Sequence, residues 1–258
     1  MEKSEYRKHF DLEENHWWFR GRRKILLNLL RSRTNLDRTI LWLDAGCGTG
    51  INLKLFELYG RVFGCDYSED ALSFCRKRGL RNLVRADVQK LPYKKGVFDA
   101  VSLLDVLYHK NISDDVEVLR EVHRLLKTDG IVLIADSAFK ILSSPHDQAV
   151  HARERYKKKT LKKKLEAAGF EPLRLGYFNF FLFPIIFMVR LKERFAAKIK
   201  DPHAPVQSDL KAVHPILNAL LYTVLAFEAF LIKKISLPWG SSIICLAYPR
   251  QGSRNLSS

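Results

Sequence analysis

The stretch LDAGCGTG, Leu43 to Gly50, gathers small residues at the point where an apolar run gives way to an amphipathic one. Gly46, Gly48 and Gly50 let the backbone turn tightly and approach a ligand, and the free N–H groups of a following helix start suit an anionic group such as a carboxylate. Their spacing is G-x-G-x-G, with Ile51 where a dinucleotide fingerprint needs its third glycine, which argues against NAD. Asp66, in GCDYS, lies about 20 residues past the first loop glycine, where a carboxylate can accept hydrogen bonds from both ribose hydroxyls. Asp87 follows in RADVQKLPY. Either acid alone reads equally well as a helix cap or a solvated loop residue. Both at the ends of neighbouring strands, beside a glycine loop, describe a site for a nucleoside-like cofactor.

Groups able to move a proton come later in the chain. His109 ends VLYH, and the loop SSPHDQAVHARERY holds His146 and His151 with Arg153, Arg155 and Tyr156. A histidine near neutral pH can take the proton of a hydroxyl acceptor, which makes His109, His151 and Tyr156 the catalytic candidates. The competing reading is that these are structural residues just past strands.

The elements that must position these residues are legible as alternating apolar runs and amphipathic segments. Strands are expected at ILWLDAG, RVFGCD, LVRAD, FDAVSLLD and GIVLIAD, with a sixth at EPLRLGYF and a last at SSIICLAYP. Helices fall between them: one ends at Gly60, one at Gly79, and SDDVEVLREVHRLLKTDG is read as a helix stopped by Gly130. KKKTLKKKLEAAGF keeps an apolar stripe of Leu161, Leu165 and Ala168 under a lysine-rich outer surface. The result is a doubly wound α/β unit. About 60 mostly helical, apolar residues separate the last two strands, too many for a hairpin loop.

LDAGCGTG, GCDYS, ADVQKLPY, FDAVSLLDVLYH and LLKTDGIVLIAD, in this order and spacing, resemble the class I S-adenosylmethionine (SAM)-dependent methyltransferases. KTDG stands where KPGG is commoner, at a turn away from the ligand. The resemblance implies a Rossmann-like fold with a seven-stranded, mostly parallel sheet and a helical insert before the last strand. It also implies a loop from Gly46 to Gly50 cradling the methionine end of SAM, Asp44 supporting its amino group, and Asp66 with neighbouring Tyr67 at the ribose. Asp87 and the Val88 amide would then read the adenine, and Leu104 would lie beside the cofactor. The flanks resemble a type 11 subgroup with an N-terminal HWWFRGRR segment and a later HD…H.R.RY loop. That likeness implies a cap over the cleft, with Arg22 or Arg23 offered to the SAM carboxylate and His16, Trp17, Trp18, Arg20 and Arg155 at the acceptor. The alternative for Trp17, Trp18 and Phe19 is plain packing on the core. The organisation expected is a cap over 1–39, a cofactor-binding core over 40–177, an apolar helical insert over 178–240, a last strand over 241–250 and a disordered tail over 251–258.

The net charge of +16 favours an anionic partner without choosing among RNA, lipid headgroups and phosphorylated metabolites. Much of it is local: residues 151–200 hold 14 Lys and Arg against 4 Asp and Glu. The four cysteines show no metal-ligand or CxxC spacing, so free thiols and no metal are expected. The charged N-terminal segment lacks the apolar core of a signal peptide, and a cytoplasmic protein is expected, with peripheral association at the inner face of the membrane as the alternative. LGYFNFFLFPIIFMV contains Pro184, and PILNALLYTVLAFEAFLI contains Asn218 and Glu228, so neither offers the roughly 20 clean apolar residues of a bilayer span. The chain lacks the Asn/Asp-Pro-Pro-aromatic motif of enzymes that methylate exocyclic amines, and it has no Pro-Cys pair for covalent attack on a pyrimidine. The first reading is therefore a SAM-dependent methyltransferase for a small amphiphilic or lipid-linked acceptor, methylated at oxygen, with the insert forming the acceptor pocket or a dock on an anionic membrane. Ranked below it are an RNA methyltransferase using the lysine helix and a catalytically silent SAM-binding interaction protein.

Overall fold

The computed structural model describes residues 3–33, 40–144, 147, 151–197 and 210–250. The expected disordered tail and His146 lie outside the described residues. The apolar runs become β1 (Ile40–Ala45), β2 (Gly60–Asp66), β3 (Leu83–Arg85), β4 (Phe98–Leu104), β5 (Leu126–Ser137), β6 (Phe170–Phe178) and β7 (Ser242–Pro249). They form one sheet in the order β3-β2-β1-β4-β5-β7-β6, parallel except for β7, which is antiparallel to both β5 and β6. This is the expected Rossmann-like arrangement with an antiparallel last strand, and it leaves the carboxyl ends of β1, β2 and β4 side by side at one edge.

The helices are α1 (Lys3–Leu12), α2 (Trp17–Arg33), α3 (Ile51–Phe56), α4 (Glu69–Lys77), α5 (Asp115–Leu125), α6 (Lys158–Ala167), α7 (Phe183–Ala197) and α8 (Pro215–Leu231). Local chemistry sets their ends. The Ser68 and Asp114 side chains accept from the amides of Ala71 and Val116, acids occupy the first turns of α4 and α5, and Gly79, at φ 79°, closes α4 in the left-handed region. The structure corrects one boundary. Helix α5 stops at Leu125, well short of Gly130, because Leu126 is already extended and paired with Phe98, so sheet pairing overrides the helical periodicity of RLLK.

Two apolar layers flank the sheet. One face packs Leu43, Val101, Leu103 and Ile134 against Val118, Leu119 and Val122 of α5 and Leu161 and Leu165 of α6. The other packs Trp42, Ala100 and Leu133 against Ile25, Leu26 and Leu29 of α2 and Leu225 and Ala229 of α8. Gly21 explains how α2 and α8 come this close: a Cβ there would lie 2.5 Å from Leu225 Cδ1. The middle of the N-terminal segment and the apolar insert thus share one core layer. Glu228, inside that layer, receives the backbone N–H groups of Asn179 and Phe180, which fixes the chain as it leaves β6.

Candidate active site

At the carboxyl edge of β1, β2 and β4 lies a cavity of about 830 Å³, closed on one side by α1. The glycines of the first loop divide the work. Gly50, at φ 85°, is buried where a Cβ would meet Leu80 and Cys75, so it serves packing. Gly48, at φ 54°, has no atom within 4 Å of its Cβ direction, which leaves its backbone open to the cavity. Gly48 N–H donates to Asp66 Oδ2 at 2.9 Å, and Ser68 N–H donates to Oδ1 at 2.9 Å. Asp66, at the end of β2, thus joins the glycine loop to the start of α4, and burial holds its carboxyl above the usual range.

Beneath the loop Asp44 is buried, with Oδ1 accepting from the Ser102 hydroxyl at 2.5 Å and Oδ2 left without a partner. Burial pushes its carboxyl up to about 7, against the opposing effects of the Ser102 hydrogen bond and of Arg22. Arg22 lines the cavity, pairs through Nη1 with Asp105, and keeps Nε and Nη2 buried and unpartnered. Asp105 follows β4 with a positive φ of 58°, uncommon for a residue with a side chain and a sign of a constrained site.

The turn between α1 and α2 is locked to the loop by a second set of charges. Glu13 receives the Thr49 hydroxyl and Arg78 Nη2, the latter at 2.8 Å, while Arg78 Nη1 reaches Glu14 at 2.5 Å. Tyr6 packs on Ala71 and Phe74 of α4 and lines the cavity. The N-terminal segment therefore covers the cleft through α1 and this turn.

The structure places Gly46, Gly48, Asp66, Tyr67, Asp87, Val88, Arg23 and His109 on the cavity lining. Asp44 and Leu104 are buried beneath it. His109 N–δ1 accepts from the Asn111 amide at 3.2 Å, and burial beside His151 drives its pKa down to about 4, so the ring is neutral with its proton on Nε2. Arg23 differs from its expected role: its guanidinium donates to the carbonyls of Glu13 and Glu14 and staples the turn.

The acceptor and remaining catalytic candidates are corrected. Trp17 N–H donates to Asn218 Oδ1 and Trp18 stacks on Phe178, so both pack on the core and neither lines the cavity. Arg20 lies over the Tyr222 ring, and His16 packs against Trp17 and Phe19. Arg155 is held bidentately by Asp147, and Tyr156 is fully buried with its hydroxyl donating to Asp115 at 2.7 Å. The His151 ring meets His109 edge-on, with centroids 5.7 Å apart, and does not line the cavity. Of the two uses expected for the 178–240 insert, acceptor pocket or membrane-surface dock, the first finds no support among its described residues, none of which lines the cavity. Sequence reasoning missed Tyr6, Glu13 and Asp105. Asp105 had a usable signal, because it ends a strand as Asp66 does. Glu13 and Tyr6 had none, since only the folding of α1 onto α4 brings them there.

Residues 43–134 match the methyltransferase domain family. The chain is 31% identical over 140 residues to a demethylmenaquinone methyltransferase of Geobacillus stearothermophilus, covering 50% of this chain and 58% of that one. It is 37% identical over 93 residues to a tRNA carboxymethyluridine 5-O-methyltransferase of Mus musculus, covering 35% of this chain and 14% of that one. The chain thus spans well under two thirds of the length of these curated relatives. Among solved structures, the [4+2]-cyclase SpnF superposes with a TM-score of 0.56 at 23% identity, covering 89% of this chain and 82% of that one. That neighbour is a cyclase, so fold alone does not specify the reaction.

Proposed function

We propose that this chain is a SAM-dependent methyltransferase acting at oxygen on a small amphiphilic or lipid-linked acceptor. The observation that carries the reading is the electrostatic contrast of the cleft with the rest of the molecule. In a chain of net charge +16, the cavity lining holds Glu13, Asp66, Glu69, Asp70, Asp87 and Asp105 against Arg22, Arg23 and Arg85. An acid-lined pocket suits a ligand that carries ammonium and sulfonium charges. The open Gly48 backbone, the lone Asp44 oxygen and the two unpartnered Arg22 nitrogens fit the same ligand, since buried polar groups without partners are rare unless something else satisfies them.

In this reading the Gly46–Gly50 backbone and Arg22 hold the carboxylate of the cofactor, Asp44 its amino group, Asp66 the ribose, and Asp87 with the Val88 amide the adenine. When bound, SAM supplies a methyl group made electrophilic by its sulfonium sulfur. The chain supplies positioning, with α1 and the Glu13–Arg78 pair excluding water from the loop side. As an acceptor hydroxyl reacts it must lose a proton. Asp105, on the lining and oriented by Arg22, takes it, while His109 with Nε2 protonated donates a hydrogen bond to the acceptor.

The acidic lining also weighs against an RNA acceptor, whose phosphates it would repel. The lysine helix is partly engaged elsewhere: Lys164 pairs with Asp115, Lys162 with Glu166, and Lys158 lies over Tyr177. The test is incubation with methyl-labelled SAM together with lipid extract, RNA and polar metabolites, followed by separation. Label in the lipid fraction is expected, label confined to RNA would replace the acceptor, and no label in any fraction would remove the transferase reading.

A further inference from the structure

The outer faces of α7 and α8 carry apolar residues where water-facing helices normally carry charge. Just before α7 and along it, Phe181, Ile185 and Met188 stand exposed three to four residues apart and lead to exposed Lys192. Along α8, Ile216, Leu220, Phe227 and Phe230 form a second exposed stripe that ends at Lys234. Ile185 is 62% exposed, Leu220 60% and Phe227 55%, so these are open side chains. The stripes are continuous, because the Phe181 and Phe227 rings meet with centroids 5.8 Å apart. Exposed Trp239 adds an aromatic anchor beside them through Phe180, at 4.9 Å.

The charges around this surface point to its occupant. Between residues 210 and 240 the one acid is Glu228, which is buried, while Lys211, Lys233 and Lys234 are exposed. In α7 the one acid, Glu193, is paired with Arg190. Arg20 and Lys24 of α2 lie against Tyr222 on the flank of α8. An apolar, aromatic-bearing face rimmed by cations and free of exposed unpaired acids matches an anionic lipid surface, in which aromatic side chains enter the headgroup boundary while lysines meet phosphate. No helix among the described residues is long and apolar enough to cross a membrane, so the contact is with one leaflet.

Position supports the same reading. Strand β6 runs parallel to the core strands, so the chain leaves Phe178 and enters α7 at the edge where the cleft opens. The start of α8 is tied to the α1–α2 turn by the Asn218 side chain, which donates to the Asn15 carbonyl and accepts from Trp17 N–H. We propose that the joined outer faces of α7 and α8 seat the protein on an anionic bilayer, with the mouth of the cleft at its rim. This rests on the surface alone and stands apart from the reaction assigned to the cleft.

The experiment is flotation of the full chain with phosphatidylcholine vesicles, with and without phosphatidylglycerol, over a salt series. Binding is expected to need phosphatidylglycerol, to weaken as salt rises, and to leave a salt-resistant part. The combined variant Ile185→Ser, Met188→Ser, Leu220→Ser and Phe230→Ser should reduce partitioning by at least about tenfold. Lys192→Glu with Lys234→Glu should remove mainly the salt-sensitive part. Both variants should keep the parent's melting temperature and its SAM affinity in calorimetry, which separates this test from that of the cleft. Failure of the parent to float with either vesicle, or flotation of the serine variant equal to the parent's, would overturn the proposal. So would a concentration-dependent dimer that the same serine substitutions dissolve, since the surface would then belong to a second copy.

Discussion

Two regions of the molecule hold a buried carboxylate near cations. At the base of α5, Asp115 takes the Tyr156 hydroxyl and Lys164 on one oxygen and Arg153 on the other. Under the glycine loop, Asp44 keeps one oxygen alone and Arg22 keeps two nitrogens alone. Both carboxylates are buried, and what differs is satisfaction. A closed network holds structure together, whereas an open one presents groups to something that arrives later. The same distinction is why the proposed mechanism uses Arg22 and Asp105 rather than Tyr156, Arg153 and Arg155.

The sharpest way to break this contrast is to remove the hub. Asp115→Ala leaves Arg153, Lys164 and a buried tyrosine hydroxyl without their shared acceptor, and a loss of about 3–5 kcal/mol is expected in denaturant unfolding. The fraction still folded should bind SAM as the parent does. Asp66→Ala is the counterpart in the cleft and should weaken SAM binding by about 1–3 kcal/mol in calorimetry with a smaller change in stability. If Asp115→Ala abolished binding in a folded protein, or Asp66→Ala left it intact, the two regions would have exchanged roles.

The pH dependence sharpens the comparison with a smaller effect. Asp44 titrates near 7 in the folded chain against an ordinary value of 3.8. Between these values the folded state holds a proton that the unfolded state has lost, so this group makes the free protein less stable as pH rises through the window and nearly flat above 7. Ligand binding has the opposite sign. A cationic amino group pairs with the ionised carboxylate, so SAM affinity should rise by up to about tenfold per pH unit below 7 and then level. Asp44→Asn should remove the slope, and a slope that persists would assign the proton to another group.

How much of this was legible in the sequence follows from where the controlling interactions lie. The strands, the loop from Gly46 to Gly50 and the strand-end acids Asp66 and Asp87 are written in contiguous residues, because the backbone chemistry of a strand-loop-helix unit is local. The end of α5 was misplaced because pairing of Leu126 with Phe98 decides it from 28 residues away. The acceptor side was harder to read. HARERY and HWWFRGRR hold polar and aromatic residues in rows that could serve a pocket or a core, and only tertiary contacts distinguish these uses. Arg155 found Asp147, Tyr156 found Asp115, and Trp18 found Phe178.

The tryptophans provide the smallest expected effect and test the contrast at the N-terminal segment itself. If the Trp17–Trp18 side of α2 packs while α1, its turn and the side of α2 that carries Phe19, Arg22 and Arg23 face the cleft, the two parts should respond differently to ligand. Trp17 is fixed by Asn218 through its backbone and Trp18 lies flat against Phe178 at 5.8 Å, and both pack against the layer built by α2 and α8. Saturating SAM should therefore leave quenching of Trp17 and Trp18 unchanged. Hydrogen exchange should slow in α1 and around Thr49, where Tyr6 and Glu13 meet the lining. Trp42 and Trp239 also fluoresce, so the measurement is made with Trp17→Phe and Trp18→Phe to isolate each contribution. Ligand protection of Trp17 or Trp18 equal to that of α1 would mean that the packed side of α2 moves with the cover, and the division drawn between that side and the cleft-facing residues would fail.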